Sequence, residues 1–108
     1  MNRHLNLPAR AFVLRFCMDP KAELIDVRTY TEFAKGHIDG AKNIPSALRE
    51  VWMALSKEKN YYLYCRVGGR STAVAYEMAR AGFNVVTLDD HMDELRAKMD
   101  DLIVSGAY

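Results

Sequence analysis

The stretch YYLYCRVGGRSTAVAYEMARAGF, residues 61–83, decides how this chain folds. Tyr61 to Tyr64 is an aromatic, strand-like run. Ser71 to Ala81 reads as a helix, and Gly82 is a natural stop at its C-terminal end. Cys65 therefore ends a strand, and Arg66, Val67, Gly68, Gly69 and Arg70 lead from it into a helix.

The same alternation recurs on either side. Pro8 suits a helical first turn, and Ala9 to Met18 is expected to be a helix ending before Asp19-Pro20. Glu23 to Val27 reads as a short buried strand with Asp26 as a polar guest. Thr29 caps a short helix through about Ala34, with Glu32 three residues on as in a capping box, and Gly36 ends it. A brief strand over Ala41 to Ile44 is closed by Pro45. Ser46 is then expected to cap a helix through about Leu55, with Leu48, Val51, Trp52 and Leu55 on one face. Asn84 to Leu88 is the last strand. The chain closes with a helix from His91 to about Val104, with Met92, Leu95, Met99 and Leu102 at helical spacing. Alternating strands and helices imply right-handed crossovers and a parallel α/β sheet covered on both faces. Ligands of such sheets bind beyond the carboxyl ends of strands, where Cys65 and Asp26-Val27-Arg28 fall.

Composition narrows the function classes. At 108 residues the chain has the size of one domain, and half of its residues are hydrophobic, enough for a core without disulfides or a structural metal. A formal net charge of +1, with Lys and Arg spread along the chain, calls for neither nucleic acid nor an anionic membrane. The two cysteines, Cys17 and Cys65, form neither a disulfide framework nor a zinc-ligand spacing, so a reducing, cytoplasmic setting is expected. Arg10 and Arg15 interrupt the apolar N-terminal stretch, which does not read as a secretory signal. No apolar run reaches the ~18 residues of a membrane span.

The residues from Cys65 to Ser71 carry the chemistry. Gly68 and Gly69 allow the loop to curl with its N–H groups inward, and the following helix aims its N-terminus at the same point. That is a cradle for an anion, and the nearest candidate is the sulfur of Cys65 as a thiolate. Helix N-termini and cationic neighbours lower a thiol's ordinary pKa of ~8.5. An activated thiolate is a nucleophile for covalent catalysis, with the cradle holding charge and Arg66 and Arg70 drawing in an anionic substrate. The competing reading makes Cys65 a small buried hydrophobe and Gly68-Gly69 a turn. Cys17 reads as packing.

Two motifs carry a resemblance. LIDVRTYTEFAKGHIDGAKNIP, Leu24 to Pro45, and YYLYCRVGGRS, Tyr61 to Ser71, resemble the two signatures of the rhodanese-like domains, and the match runs from about Leu7 to about Leu95. The resemblance implies a rhodanese-like three-layer sandwich, a parallel sheet of about four to five strands with helices on both faces, formed by residues 1–108 as a single domain. It implies a thiosulfate sulfurtransferase-type enzyme in which Cys65 takes a sulfane sulfur from thiosulfate or a persulfide. A thiol, cyanide or a protein acceptor then removes it. The persulfide would sit among the N–H groups of Arg66 to Ser71 with Arg70 closing the loop, and no cofactor or metal is implied. Phosphatases and arsenate reductases of the same fold carry five residues between cysteine and arginine. Here there are four, which favours sulfur over phosphate. A regulatory, partner-binding rhodanese module is the alternative.

The first motif reads mainly as scaffold. Arg28 and Glu32, four apart, are expected to pair across the start of the short helix, and Asp26 is placed to hold loop backbone or that arginine. His37 reads as packing rather than as a general base. After the last strand, Asp89-Asp90 stands where the family usually carries Gly-Gly. These carboxylates are expected to cap the final helix; otherwise they would raise the thiol's pKa and repel an anionic donor.

Overall fold

The computed structural model describes residues 4–104, with side chains through Asp100. Five strands, β1 (His4–Leu7), β2 (Ala22–Asp26), β3 (Lys42–Asn43), β4 (Asn60–Tyr64) and β5 (Asn84–Leu88), form one sheet in the order β1-β5-β4-β2-β3. Every pairing is parallel, with Asp26 opposite Tyr64 and Leu63 opposite Thr87 in register. The helices are α1 (Ala9–Cys17), α2 (Tyr30–Lys35), α3 (Arg49–Met53), α4 (Gly69–Arg80) and α5 (Met92–Val104). Among the described residues no helix is long and apolar enough to cross a membrane.

The period-2 alternation of strand side chains divides the core in two. Tyr62 and Tyr64 of β4 join Leu24, Val86 and Leu88 beneath α1 and α5, where Phe12, Val13, Leu95 and Met99 close the layer. Tyr61, Leu63 and then Cys65 face the other way, onto Val74, Ala75 and Met78 of α4 and Trp52 of α3. Cys17 packs half-buried against the first of these layers. The side chain of Leu102 lies outside the described ones.

Several sequence expectations are corrected. Strand β1 is four residues long, too short for its alternation to stand out in the sequence, and forms an edge strand paired with β5. Ser46 does not cap α3, which starts at Arg49 after Leu48 with no side-chain cap. Ser46 is drawn back to the sheet instead: its N–H donates to the Val27 carbonyl at 2.8 Å, and its own carbonyl accepts from Trp52 Nε1 at 3.2 Å. Only Trp52 of the expected α3 face is buried, while Leu48 and Val51 are each 48% exposed. A helix this short turns too little surface inward to bury four apolar side chains.

The carboxylates after β5 do not cap α5. The Asp89 N–H donates to the Leu7 carbonyl at 2.7 Å, and Asp90 Oδ2 accepts from the Ala9 N–H at 2.7 Å, so Asp90 caps α1. Strand β1 delivers the start of α1 beside the end of β5, within reach of the Asp90 carboxylate. The first turn of α5 uses His91, whose Nδ1 accepts from the Asp93 N–H at 3.1 Å.

Candidate active site

Strand β4 ends under tight control. Tyr64 is fully buried, its hydroxyl accepts from the Ile38 N–H at 3.0 Å, and its carbonyl accepts from the Val27 N–H at 3.1 Å. One residue later the alternation turns Cys65 toward α4. The chain then reverses at Gly68, whose φ of +102° suits glycine and disfavours any side chain. That turn points the Gly68 N–H at Cys65 Sγ, 3.1 Å away.

Helix α4 begins at Gly69, two residues before the position read from sequence, because Gly68 already occupies its cap. Arg70 and Ser71 are thereby drawn into the first turn. First-turn N–H groups have no carbonyl partner within a helix. Here Ser71 N–H reaches Cys65 Sγ at 3.5 Å, while the Ser71 hydroxyl lies 3.4 Å from the same sulfur and 3.2 Å from the Gly68 carbonyl. No side chain of Gly68 can cap the helix, and the sulfur of Cys65 takes that place.

Burial, with Cys65 only 2% exposed, pushes its thiol pKa up. Hydrogen bonds from the Ser71 hydroxyl and from the amides of Ser71, Gly68 and Arg70 outweigh it, and the thiol sits below its ordinary value. Such a sulfur can act as a nucleophile, and the same donors can hold negative charge on an atom added to it.

The charged residues pair differently from the sequence expectation. Arg28 does not reach Glu32, since it precedes the Thr29 cap and lies off the helix surface. Its guanidinium grips Asp26 instead, Nε to Oδ1 at 3.0 Å and Nη2 to Oδ2 at 2.7 Å, and Nη2 also donates to the Gly36 carbonyl at 2.6 Å. Both partners are buried, and the Asp26 hydrogen bonds raise the Arg28 pKa against desolvation. Asn43, unnoticed in the sequence, donates to the Asp26 and Arg28 carbonyls at 3.0 Å each and fastens β3 to this corner.

Glu32 forms a forked pair with Arg70, 2.6 Å to Nη1 and 3.1 Å to Nη2. Arg70, with the smaller contribution of Thr29, holds the Glu32 carboxyl down at about 2 against its partial burial. The capping box at Thr29 is present, so Glu32 ties α2 to α4 from the first turn of each. Arg70 thus braces the loop against α2. Arg66 and Val67 are exposed, and the Arg66 carbonyl accepts from the Met92 N–H at 2.9 Å. His37 is exposed and stacks on Phe33 with ring centroids 3.7 Å apart.

A parallel α/β sheet that delivers a cysteine from a central strand into a ring of amides defines a class of thiol-bearing domains. The family model described as the rhodanese-like domain matches residues 11–98, and the chain belongs to that family. The crystal structure of a rhodanese-like domain protein from Staphylococcus aureus superposes with a TM-score of 0.74 at 25% identity, covering 84% of this chain and 90% of that one. A protein named sulfurtransferase from Allochromatium vinosum is 37% identical over 60% of this chain and 63% of its own length. The HTH-type transcriptional regulator Rv0324 of Mycobacterium tuberculosis is 38% identical over 81% of this chain and 40% of its own length. Several curated relatives are longer than this chain, which spans 50% of one and 40% of the regulator.

Proposed function

We propose that this protein is a sulfurtransferase in which Cys65 carries the transferred sulfur. The observation behind this reading is the ring itself: two amides and a hydroxyl within 3.5 Å of one sulfur at a strand end. In the first half-reaction the Cys65 thiolate attacks the sulfane sulfur of thiosulfate or of a persulfide. The donor's S–S bond breaks, sulfite or a thiolate leaves with the electron pair, and Cys65 becomes a persulfide. In the second, cyanide or an acceptor thiolate attacks the outer sulfur, and the pair returns to Cys65 Sγ. The scheme is ping-pong, with the amides as the electrostatic stabiliser in both halves.

The early start of α4 supports sulfur over phosphate. Only four residues separate Cys65 from Arg70, and the amides converge on a single atom. Thiosulfate should add one sulfur to the intact mass, and cyanide should remove it as thiocyanate. Absence of the adduct, or turnover by Cys65→Ser, would end the assignment. An aryl phosphate should be left untouched.

A second reading has one supporting observation, the match to less than half of a transcriptional regulator. In it the domain senses or docks within a larger protein. A protein that forms the Cys65 persulfide yet passes its sulfur to no thiol would favour this reading.

A further inference from the structure

Beside the Cys65 loop lies a groove of about 310 Å³ between the end of α2 and the first turns of α5. Its walls carry Arg28, Lys35, Arg66 and Arg96 against two carboxylates, Glu32 and Asp93. Two of these charges are already spent, Arg28 on Asp26 and Glu32 on Arg70. Lys35, Arg66 and Arg96 have no carboxylate partner among the described residues. Asp93 is 78% exposed and turned to water, 3.4 Å from a His91 nitrogen that already accepts a backbone N–H. The concavity therefore holds three uncommitted cations against one solvated carboxylate. Arg96 reaches across it toward Gly36, where an added Cβ would stand 3.9 Å from its Nη2. Arg66 follows Cys65 directly, and its carbonyl is fastened to Met92 at the head of α5.

The kind of anion follows from the donors. Phosphate sites use free backbone N–H groups at a helix start. Here the Met92 amide is spent on Arg66, and those of Asp93 and Glu94 on His91. Side-chain cations alone remain; a guanidinium forks onto carboxylates and phosphates alike, so the choice of carboxylate rests on these spent backbone donors. We propose that this groove is a carboxylate subsite for the small thiol that exchanges sulfur with Cys65, with Lys35 and Arg96 setting specificity for thiols that bear carboxylates. The proposal rests on the sulfur-carrier reading of Cys65. The bound thiolate attacks the outer sulfur of the Cys65 persulfide, the Sγ–S bond breaks, and its electron pair stays on Cys65 as thiolate. The acceptor leaves as a persulfide, with no outside oxidant, and the reverse step lets the same molecule act as donor.

Glutathione, 2-mercaptoethanol and coenzyme A are compared as acceptors for the persulfurated wild type and for a Lys35→Ala/Arg96→Ala double variant, both sites being exposed. Wild type should prefer glutathione, and the double variant should raise its KM about fivefold to tenfold, as the loss of two partly exposed charge contacts predicts. The KM for 2-mercaptoethanol should stay put, and 0.5 M salt should mimic the substitutions (on the order of a 4 Å Debye length). Separately, unreactive S-methylglutathione titrated into Cys65→Ser should move the Gly36 amide resonance. Equal use of glutathione and 2-mercaptoethanol by wild type would overturn the subsite while sulfur transfer stands. A preference for coenzyme A would assign the groove to phosphate instead and overturn the carboxylate proposal. If no persulfide forms on Cys65 the carrier reading fails, and if cyanide but no thiol removes its sulfur the subsite falls while sulfur carriage stands; a silent titration removes the groove in either case.

Discussion

Gly68 and Gly69 are neighbours in sequence, and alanine should affect them in opposite directions. Gly68 holds φ +102° and ψ −16°, where an L-residue costs ~1–2 kcal/mol. An added Cβ would stand 3.8 Å from the Leu88 carbonyl oxygen, an ordinary contact, so the penalty is conformational. Relaxation to negative φ would disturb the turn that aims the Gly68 amide at Cys65 Sγ, 3.1 Å away. Gly69 opens α4 with nothing within 4 Å of an added Cβ. Alanine there restricts the unfolded chain and should stabilise by ~0.4–1 kcal/mol. The two variants should differ by ~1.5–3 kcal/mol, which at a urea m-value of ~1.5 kcal/mol/M separates their midpoints by about 1–2 M. Urea unfolding followed by circular dichroism measures the split, and iodoacetamide labelling at neutral pH reads the thiol. Gly68→Ala should label more slowly and Gly69→Ala at the wild-type rate. Shifts of the same sign, or coincident midpoints, would refute the assignment of the turn to Gly68 alone.

The labelling rate of wild type against pH should have its midpoint below that of an unperturbed thiol, and Ser71→Ala, which removes the hydroxyl donor, should move it upward. A midpoint unchanged by that substitution would show that the amides act alone. Glu32 titrates at about 2 in the folded protein against an ordinary 4.5, so its stabilisation is full above 4.5 and is lost as the pH falls through the folded value. Glu32→Gln should therefore lower stability by ~0.5–1 kcal/mol at pH 6, the range for a partly exposed pair, with the gap in urea midpoint closing between pH 4.5 and 2. A gap that persisted at the acid end would refute the ion-pair origin of the loss, since glutamine retains the capping box. Asp26→Asn leaves the buried Arg28 without its counter-charge and should cost ~3–5 kcal/mol in the same assay. A loss below ~1 kcal/mol would mean that the Gly36 carbonyl suffices to hold that guanidinium.

What could be read from the sequence followed the distance over which the physics acts. Strands β2, β4 and β5 announce themselves because each is a short apolar run that must be buried, and Thr29 with Glu32 announces a helix start three residues away. Cys65 stood out because a strand end, a glycine pair and a helix meet there. The misreadings share a cause, since they concern polar groups whose partners are chosen by topology. Arg28, Glu32 and Arg70 offer several plausible pairings along the chain, and only the placement of β4 beside β2 brings Glu32 to Arg70, 38 residues away. Asp90 caps a helix 81 residues earlier because β1 lies beside β5, and β1 itself was too short to be seen. Ser46 had the chemistry of a cap but was held by the Val27 carbonyl first.

Stability and reactivity meet in one atom here. A helix start needs an acceptor for its unpaired N–H groups, and most helices find a serine, threonine or aspartate at the cap. In α4 that position is Gly68, which has no side chain, and the acceptor comes from the end of the preceding strand. Supplying it from Cys65 means that the N–H groups favour the thiolate over the thiol, so the demand that caps the helix also lowers the thiol's pKa. The loop must be short for this to work: the turn at Gly68 and the start at Gly69 place Ser71 within reach of Sγ, and Arg70 then falls where Glu32 can brace it. The same loop length thus serves the thiolate, through Ser71, and the brace, through Arg70 and Glu32.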